Sequence, residues 1–131
     1  MIGLDTNVLV RYMTKDDPIQ SGKAIRLVND SSAAGEPLFV NHIVLCELCW
    51  VMESCYDLDR SLLEDVLERI LETRDFEVEA KDLALEALRD FKRGGIDFAD
   101  CLIGRKNKAA SCDKTLTFDS KLKRLDCFQQ L

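Results

Sequence analysis

A chain of 131 residues, 47% apolar and 32% charged, has the size and balance of one globular domain and is neither disordered nor fibrous in composition. Its net charge of −6 argues against indiscriminate nucleic-acid binding, and no apolar run approaches the roughly 20 residues that a membrane-spanning helix needs. No Lys or Arg precedes Arg11, so a signal peptide is not expected and the cytoplasm is the expected location.

Ile2–Leu4 reads as a short buried strand that ends abruptly in Asp5-Thr6-Asn7, a carboxylate, a hydroxyl and an amide. Open α/β sheets bind their ligands outside the carboxyl ends of the strands, so Asp5 is either a turn residue or the first acid of a site. Asp17-Pro18 is a helix cap followed by proline at the first helical position, and the helix it opens fades at Ser31-Ser32 before Gly35. Leu38–Val40 is a second strand. Asn41 caps a helix with a broad apolar surface (Ile43, Val44, Cys46, Leu48, Val51), and Asp59 caps another, in which Leu62, Leu63, Val66, Leu67, Ile70 and Leu71 recur at three- and four-residue steps. Phe76–Glu79 is a third strand. Leu83, Ala84, Ala87, Leu88 and Phe91 mark a helix that Gly94-Gly95 stops. Residues 97–110 read as helix, Thr115–Phe118 as strand and Phe128–Leu131 as a terminal strand. Strands alternating with helices predict an α/β fold, a central and mostly parallel sheet flanked by helices. The helix pair at 43–74 is an αα-hairpin inserted in that alternation, and residues 1–131 are expected to form a single domain.

Five acids stand at positions that invite chemistry. Asp5 and Asp119 each follow a strand. Glu47 lies inside the apolar run 43–51, where burial would cost several kcal/mol without a partner. Asp97 and Asp100 are three apart at the start of a helix, which puts both carboxylates on one face at the favourable end of the helix dipole. Taken singly, Asp97 or Asp119 could be only a cap. Together, clustered carboxylates raise each other's proton affinity unless a cation neutralises them. Hard oxygen ligands suit Mg²⁺ or Mn²⁺. His42 is the only histidine, which leaves little room for a histidine base. Of the six cysteines, Cys46, Cys49 and Cys101 sit inside apolar helical patterns and read as small buried hydrophobes. Cys46-x2-Cys49 with His42 suggests zinc, but no second pair completes a structural site.

The order and spacing of Leu4-Asp5-Thr6-Asn7-Val8-Leu9-Val10-Arg11, Val44-Leu45-Cys46-Glu47-Leu48-Cys49-Trp50-Val51, Asp97-Phe98-Ala99-Asp100-Cys101-Leu102-Ile103 and Thr117-Phe118-Asp119 resemble PIN-domain ribonucleases, specifically the VapC-type toxins of bacterial toxin–antitoxin modules. The resemblance covers residues 2–128. It implies a single PIN-like domain in which Asp5, Glu47, Asp100 and Asp119 bind Mg²⁺ or Mn²⁺, with Asp97 a supporting acid and Thr6-Asn7 the polar pair beside the first one. It also implies a homodimer, an RNA substrate and a cognate antitoxin. The cysteines around Glu47 and Asp100 and the lysine-rich segment 105–124 depart from the pattern.

The residues permit metal-assisted hydrolysis of a phosphodiester, with Asp100 or Asp119 orienting the attacking water. Residues 105–124 carry seven bases and two acids, against four bases and eleven acids over 53–82. The basic stretch, Lys106 and Lys108 included, is therefore expected to hold phosphates of a single-stranded or looped RNA. Two other functions compete. Phosphohydrolases of the haloacid-dehalogenase type need a second Asp two residues after the first, where this chain has Asn7. A silent interaction domain would keep the fold without chemistry, yet all four family acids are present.

Overall fold

Side-chain caps decide where most of the helices begin. The computed structural model describes residues 1–131, which divide into two compact units, residues 1–79 and 80–131. The first holds β1 (Ile2–Gly3), α1 (Thr6–Thr14), α2 (Pro18–Ala34), β2 (Leu38–Val40), α3 (His42–Cys55), α4 (Arg60–Glu72) and β3 (Phe76–Val78). The Asp17 carboxylate accepts from the backbone N–H groups of Ile19 and Gln20, with Pro18 in the first turn of α2. Asn41 accepts from Val44 at the start of α3, and Asp59 from Leu62 at the start of α4. Each cap satisfies N–H groups that have no partner within the helix. Gly35, at φ 70°, closes α2 in the left-handed conformation that glycine adopts without strain.

The strands of this unit pair in parallel in the order β1-β2-β3. Ile2 lies opposite Leu38, and Leu38, Phe39 and Val40 lie opposite Phe76, Glu77 and Val78. The unit's core is built from Leu9 and Val10, Ala24 and Val28, Leu45, Leu48 and Met52, and Leu63, Leu67, Ile70 and Leu71. Tyr12 meets Phe76 edge to face, with ring centroids 5.8 Å apart. The amphipathic reading of α4 agrees with this burial except at Leu62, which is exposed, and Val66, which is half-buried.

One expectation needs correction here. β1 is an edge strand of its sheet, and Ile2 and Gly3 are both exposed, so burial begins only at Leu4. Residues 6–14 form a helix that the apolar pattern alone does not announce. The segment is short, and Thr6, Val8 and Val10 are β-branched, which lowers helix propensity. Burial of Leu9 and Val10 overrides that preference.

The second unit holds α5 (Lys81–Lys92), α6 (Phe98–Ala109), β4 (Thr115–Thr117), a 3₁₀ turn (Ser120–Arg124) and β5 (Phe128–Gln130). β4 and β5 pair in parallel, with Thr115 opposite Phe128. Parallel pairing thus holds throughout the mixed α/β fold, with the strands hydrogen-bonded as a three-stranded and a two-stranded sheet. Gly94 and Gly95 turn the chain between α5 and α6 at φ 88° and 79°. Phe91 and Phe98 pack edge to face across that turn. Gly104 lets α6 approach the β5 strand closely: a Cβ there would stand 2.7 Å from Cys127 Sγ and from a ring carbon of Phe128. No helix of the protein is long and apolar enough to cross a membrane.

One buried ion pair ties α6 to α5. Asp90 is 1% exposed. Its two carboxylate oxygens accept from Arg105 Nε at 2.7 Å and Nη2 at 2.9 Å, and Arg105 Nη1 also donates to Glu86 at 3.2 Å. Removing one member of a buried pair leaves the other charge uncompensated. Arg105→Ala, which strands the buried Asp90 carboxylate, is therefore expected to cost about 3 kcal/mol or more in urea unfolding. Arg105→Lys should also destabilise, because an ammonium cannot reproduce the two-pronged contact. A wild-type midpoint in both variants would show that the pair does not hold α6.

Candidate active site

In the first unit the acids are organised by the junction of β1 and α1. Asp5 sits at the cap of α1, where its Oδ1 accepts from the Thr6 N–H at 2.8 Å. Thr6 is buried, and its hydroxyl donates to Glu47 Oε1 at 2.9 Å. Thr6 thus bonds two acids that are 42 positions apart in the chain, Asp5 through its backbone N–H and Glu47 through its hydroxyl. Asp5, Asn7 and Glu47 are exposed.

Glu47 is not buried, contrary to the expectation drawn from its apolar neighbours. The run 43–51 winds around α3. Val44, Leu45, Leu48, Cys49 and Met52 face the core, while Ile43, Glu47 and Trp50 form an exposed stripe at three- and four-residue steps. A linear run of apolar residues says little about one position on a helix; its phase decides.

Asn7 also borders a cleft of about 330 Å³ between α1 and α2, lined further by Val8, Arg11, Gln20, Lys23, Ala24 and Leu27. Arg11 is held within its own unit. Its guanidinium donates to Gln20 and Asp16, and the Tyr56 hydroxyl donates to Asp16 at 2.6 Å. That hydroxyl bond and one from Thr14 are the main causes holding the Asp16 carboxyl down at about 2. His42 is buried and faces Glu79, with Nδ1 3.8 Å from its carboxylate.

The second unit groups three acids. Asp97 occupies the cap position of α6 but makes no side-chain capping bond, so the cap alone does not account for it. Asp100 stands half-buried in the first turn. Asp119 caps the 3₁₀ turn by accepting from Lys121 N–H at 2.9 Å, and its own carbonyl accepts from Gln130 Nε2 at 2.8 Å. Burial pushes the Asp100 carboxyl upward, the charges of Asp97 and Asp119 add to that, and Lys121 works against it. These are acids held together against their repulsion.

Of the predicted substrate cations, Lys106 and Lys108 are exposed in the last turn of α6. Lys108 borders a cleft of about 430 Å³ with Leu83, Glu86, Arg89 and Arg105. Three other bases of the segment have structural partners: Arg105 binds Asp90, Lys114 donates to the Asp126 carbonyl, and Arg124 donates to the Gly94 carbonyl. The cation whose field reaches Asp100 is Lys121. In sequence it is one lysine among several, and only its place in the 3₁₀ turn after Asp119 distinguishes it.

In neither unit do three acidic, histidine or cysteine side chains close around one ion position. The first unit brings together Asp5 and Glu47 through Thr6, and the second brings together Asp97, Asp100 and Asp119. Every donor in both groups is a hard oxygen, the type suited to Mg²⁺ or Mn²⁺.

A model of the PIN domain family matches residues 2–126 of the chain. A VapC ribonuclease of Aquifex aeolicus (strain VF5) is 29% identical over 123 residues, 93% of this chain and 90% of that relative.

The Asp100 environment predicts a pH dependence. A carboxyl whose folded-state pKa is raised contributes stability in its protonated form; that contribution is complete below its ordinary value of 3.8 and is lost as pH rises through the raised value. Asp100→Asn removes the charge, so in chelator it should melt higher than the wild type at neutral pH. The two melting temperatures should converge as pH approaches 3.8. A difference that stays constant with pH would rule out charge as its cause.

Proposed function

The chain belongs to the PIN domain family, and on that premise we propose that it is a metal-dependent endoribonuclease, the toxin of a toxin–antitoxin module. The observation that carries the reading is the grouping of Asp97, Asp100 and Asp119, with Asp100 held half-buried among like charges. Like charges held this close repel one another, and a bound cation would relieve that repulsion. The printed name of the Aquifex aeolicus relative, a ribonuclease, supports the substrate class.

In this reading the carboxylates of Asp5, Glu47, Asp100 and Asp119 hold Mg²⁺ or Mn²⁺, Asp97 supports them, and residues 1–131 act as one nuclease domain. When bound, the ion supplies polarisation of a phosphoryl oxygen and a lower pKa for water. The chain's own groups do the rest. The Thr6 hydroxyl fixes the rotamer of Glu47. With burial and two neighbouring acids raising its affinity for a proton, the Asp100 carboxylate is suited to orient the attacking water and take its proton. Lys121 tempers the negative charge around Asp100 and stands ready for a phosphate. Asn7 contributes a polar amide beside Asp5. The family resemblance extends the proposal to a cytoplasmic homodimer restrained by an antitoxin, whose Arg or Lys would pair with Asp5 or Asp119.

Asp5→Asn, Asp100→Asn and Asp119→Asn are each expected to abolish cleavage of single-stranded RNA while leaving the circular-dichroism spectrum and the cooperative melt intact. Excess chelator should do the same to the wild type, and Mg²⁺ or Mn²⁺ should restore activity. Full activity in chelator would overturn the metal reading, and failure to cleave any RNA with either ion would overturn the nuclease reading.

Lys106 and Lys108 are proposed to contact phosphates. On a single strand each neutralised phosphate contributes about −0.7 to the slope of log K against log salt. The double variant Lys106→Ala/Lys108→Ala in an Asp5→Asn background should therefore bind RNA more weakly, with a slope shallower by roughly 1.4. An unchanged slope would mark the two lysines as a solvated helix face.

A further inference from the structure

Trp50 is the chain's single tryptophan, and 54% of it lies exposed. A large aromatic side chain is ordinarily buried or occupied in recognition, so exposure on this scale is informative. Its position adds to that. Trp50 follows Glu47 by one helical turn and Ile43 by two, and Ile43 is 69% exposed. Residues three and four apart on a helix are surface neighbours, and long helical side chains lean toward the helix N-terminus. The indole of Trp50 therefore belongs to the same surface as the Glu47 carboxylate.

We propose that Trp50 is a stacking platform for a nucleobase of single-stranded RNA, next to the phosphate processed at the acids. The inference rests on the ribonuclease reading above and deepens it by naming a substrate-binding residue. The stripe itself favours a nucleotide over a protein surface. A protein face that covered Ile43 and Trp50 would also cover Glu47, which lies between them, and burying that carboxylate is costly. A nucleotide needs no such burial. Its flat base covers the indole face, while the carboxylate stays in a wet, ionic environment. Stacking on an aromatic ring is tolerant of base identity, which suits recognition of unpaired rather than duplex RNA.

The single tryptophan makes the test direct. In an Asp5→Asn background, which is not expected to cleave, a mixed-sequence ten-nucleotide single-stranded RNA should quench the intrinsic fluorescence saturably. Inorganic polyphosphate, which offers charge without bases, should not. Trp50→Leu should weaken RNA binding by roughly 5- to 100-fold, as the loss of one stacked base does, and Trp50→Phe should recover most of that loss. Unchanged RNA affinity in Trp50→Leu, or equal quenching by polyphosphate, would overturn the proposal. So would an emission spectrum that shifts to the blue with protein concentration and is insensitive to RNA, since a second copy of the chain would then cover Trp50. Cleavage by the otherwise wild-type protein separates the two readings. If it cleaves and Trp50→Leu cleaves with the same KM, the platform fails and the nuclease reading stands. If RNA quenches Trp50 but the wild type cleaves no RNA, the platform stands and the nuclease reading fails.

Discussion

Like charges held close together without a matching set of cations set the terms for the rest of this protein. At Asp100, partial burial and the carboxylates of Asp97 and Asp119 all push toward the neutral form. Such an arrangement persists only if other parts of the fold hold it in place. Two features do so within the second unit. The buried Asp90–Arg105 pair fixes α6 against α5. Gly104, lacking a side chain, lets α6 lie close to Cys127 and Phe128. Asp119 is held in its turn by three bonds: its N–H donates to the Thr117 hydroxyl, its carboxylate accepts from the Lys121 N–H, and its carbonyl accepts from the Gln130 side-chain amide. The acids are thus displayed by a framework whose own interactions are satisfied.

The first unit uses a different device. There a buried hydroxyl, Thr6, reaches from the start of α1 to Glu47 on α3, while the preceding residue's carboxylate caps the same helix. Hydrogen bonds to a charged acceptor are stronger than neutral ones, and this one also sets a rotamer. Each acid of the unit keeps an exposed face toward solvent, the condition for binding a hydrated ion or a phosphate. The burial cost that would attend a carboxylate in an apolar run does not arise, because the helix turns Glu47 outward.

Exposure on the αα-hairpin is narrower than its composition suggests. Most of the apolar residues of α3 and α4 belong to the unit's core, and the large ones left outside are Ile43, Trp50 and Leu62. Positive charge is likewise narrower than a count of lysines and arginines implies. Arg105, Lys114 and Arg124 satisfy internal acceptors. Composition measures how much charge or apolar surface a segment owns, whereas function depends on how much of it the fold leaves unclaimed.

The chain's sequence alone determined most of its element boundaries, because the signals there are local. Asp17-Pro18, Asn41 and Asp59 cap helices by bonds to residues two or three positions on, and Gly35 and Gly94-Gly95 take up without strain the positive φ that their turns require. The alternation of strands and helices in turn implied parallel pairing, and the spacing of its acids carried the family resemblance. What sequence could not decide were matters of phase and partnership between distant residues. Only the folded α3 shows that Glu47 and Trp50 share its outer stripe. Only tertiary burial makes a helix of residues 6–14. Only the packing of α5 on α6 makes Arg105, one base of the segment 105–124, the counter-ion of Asp90. Local hydrogen bonds are encoded within a few residues, but the partner of a buried charge or an exposed ring is set by the whole chain's effort to remove apolar surface from water.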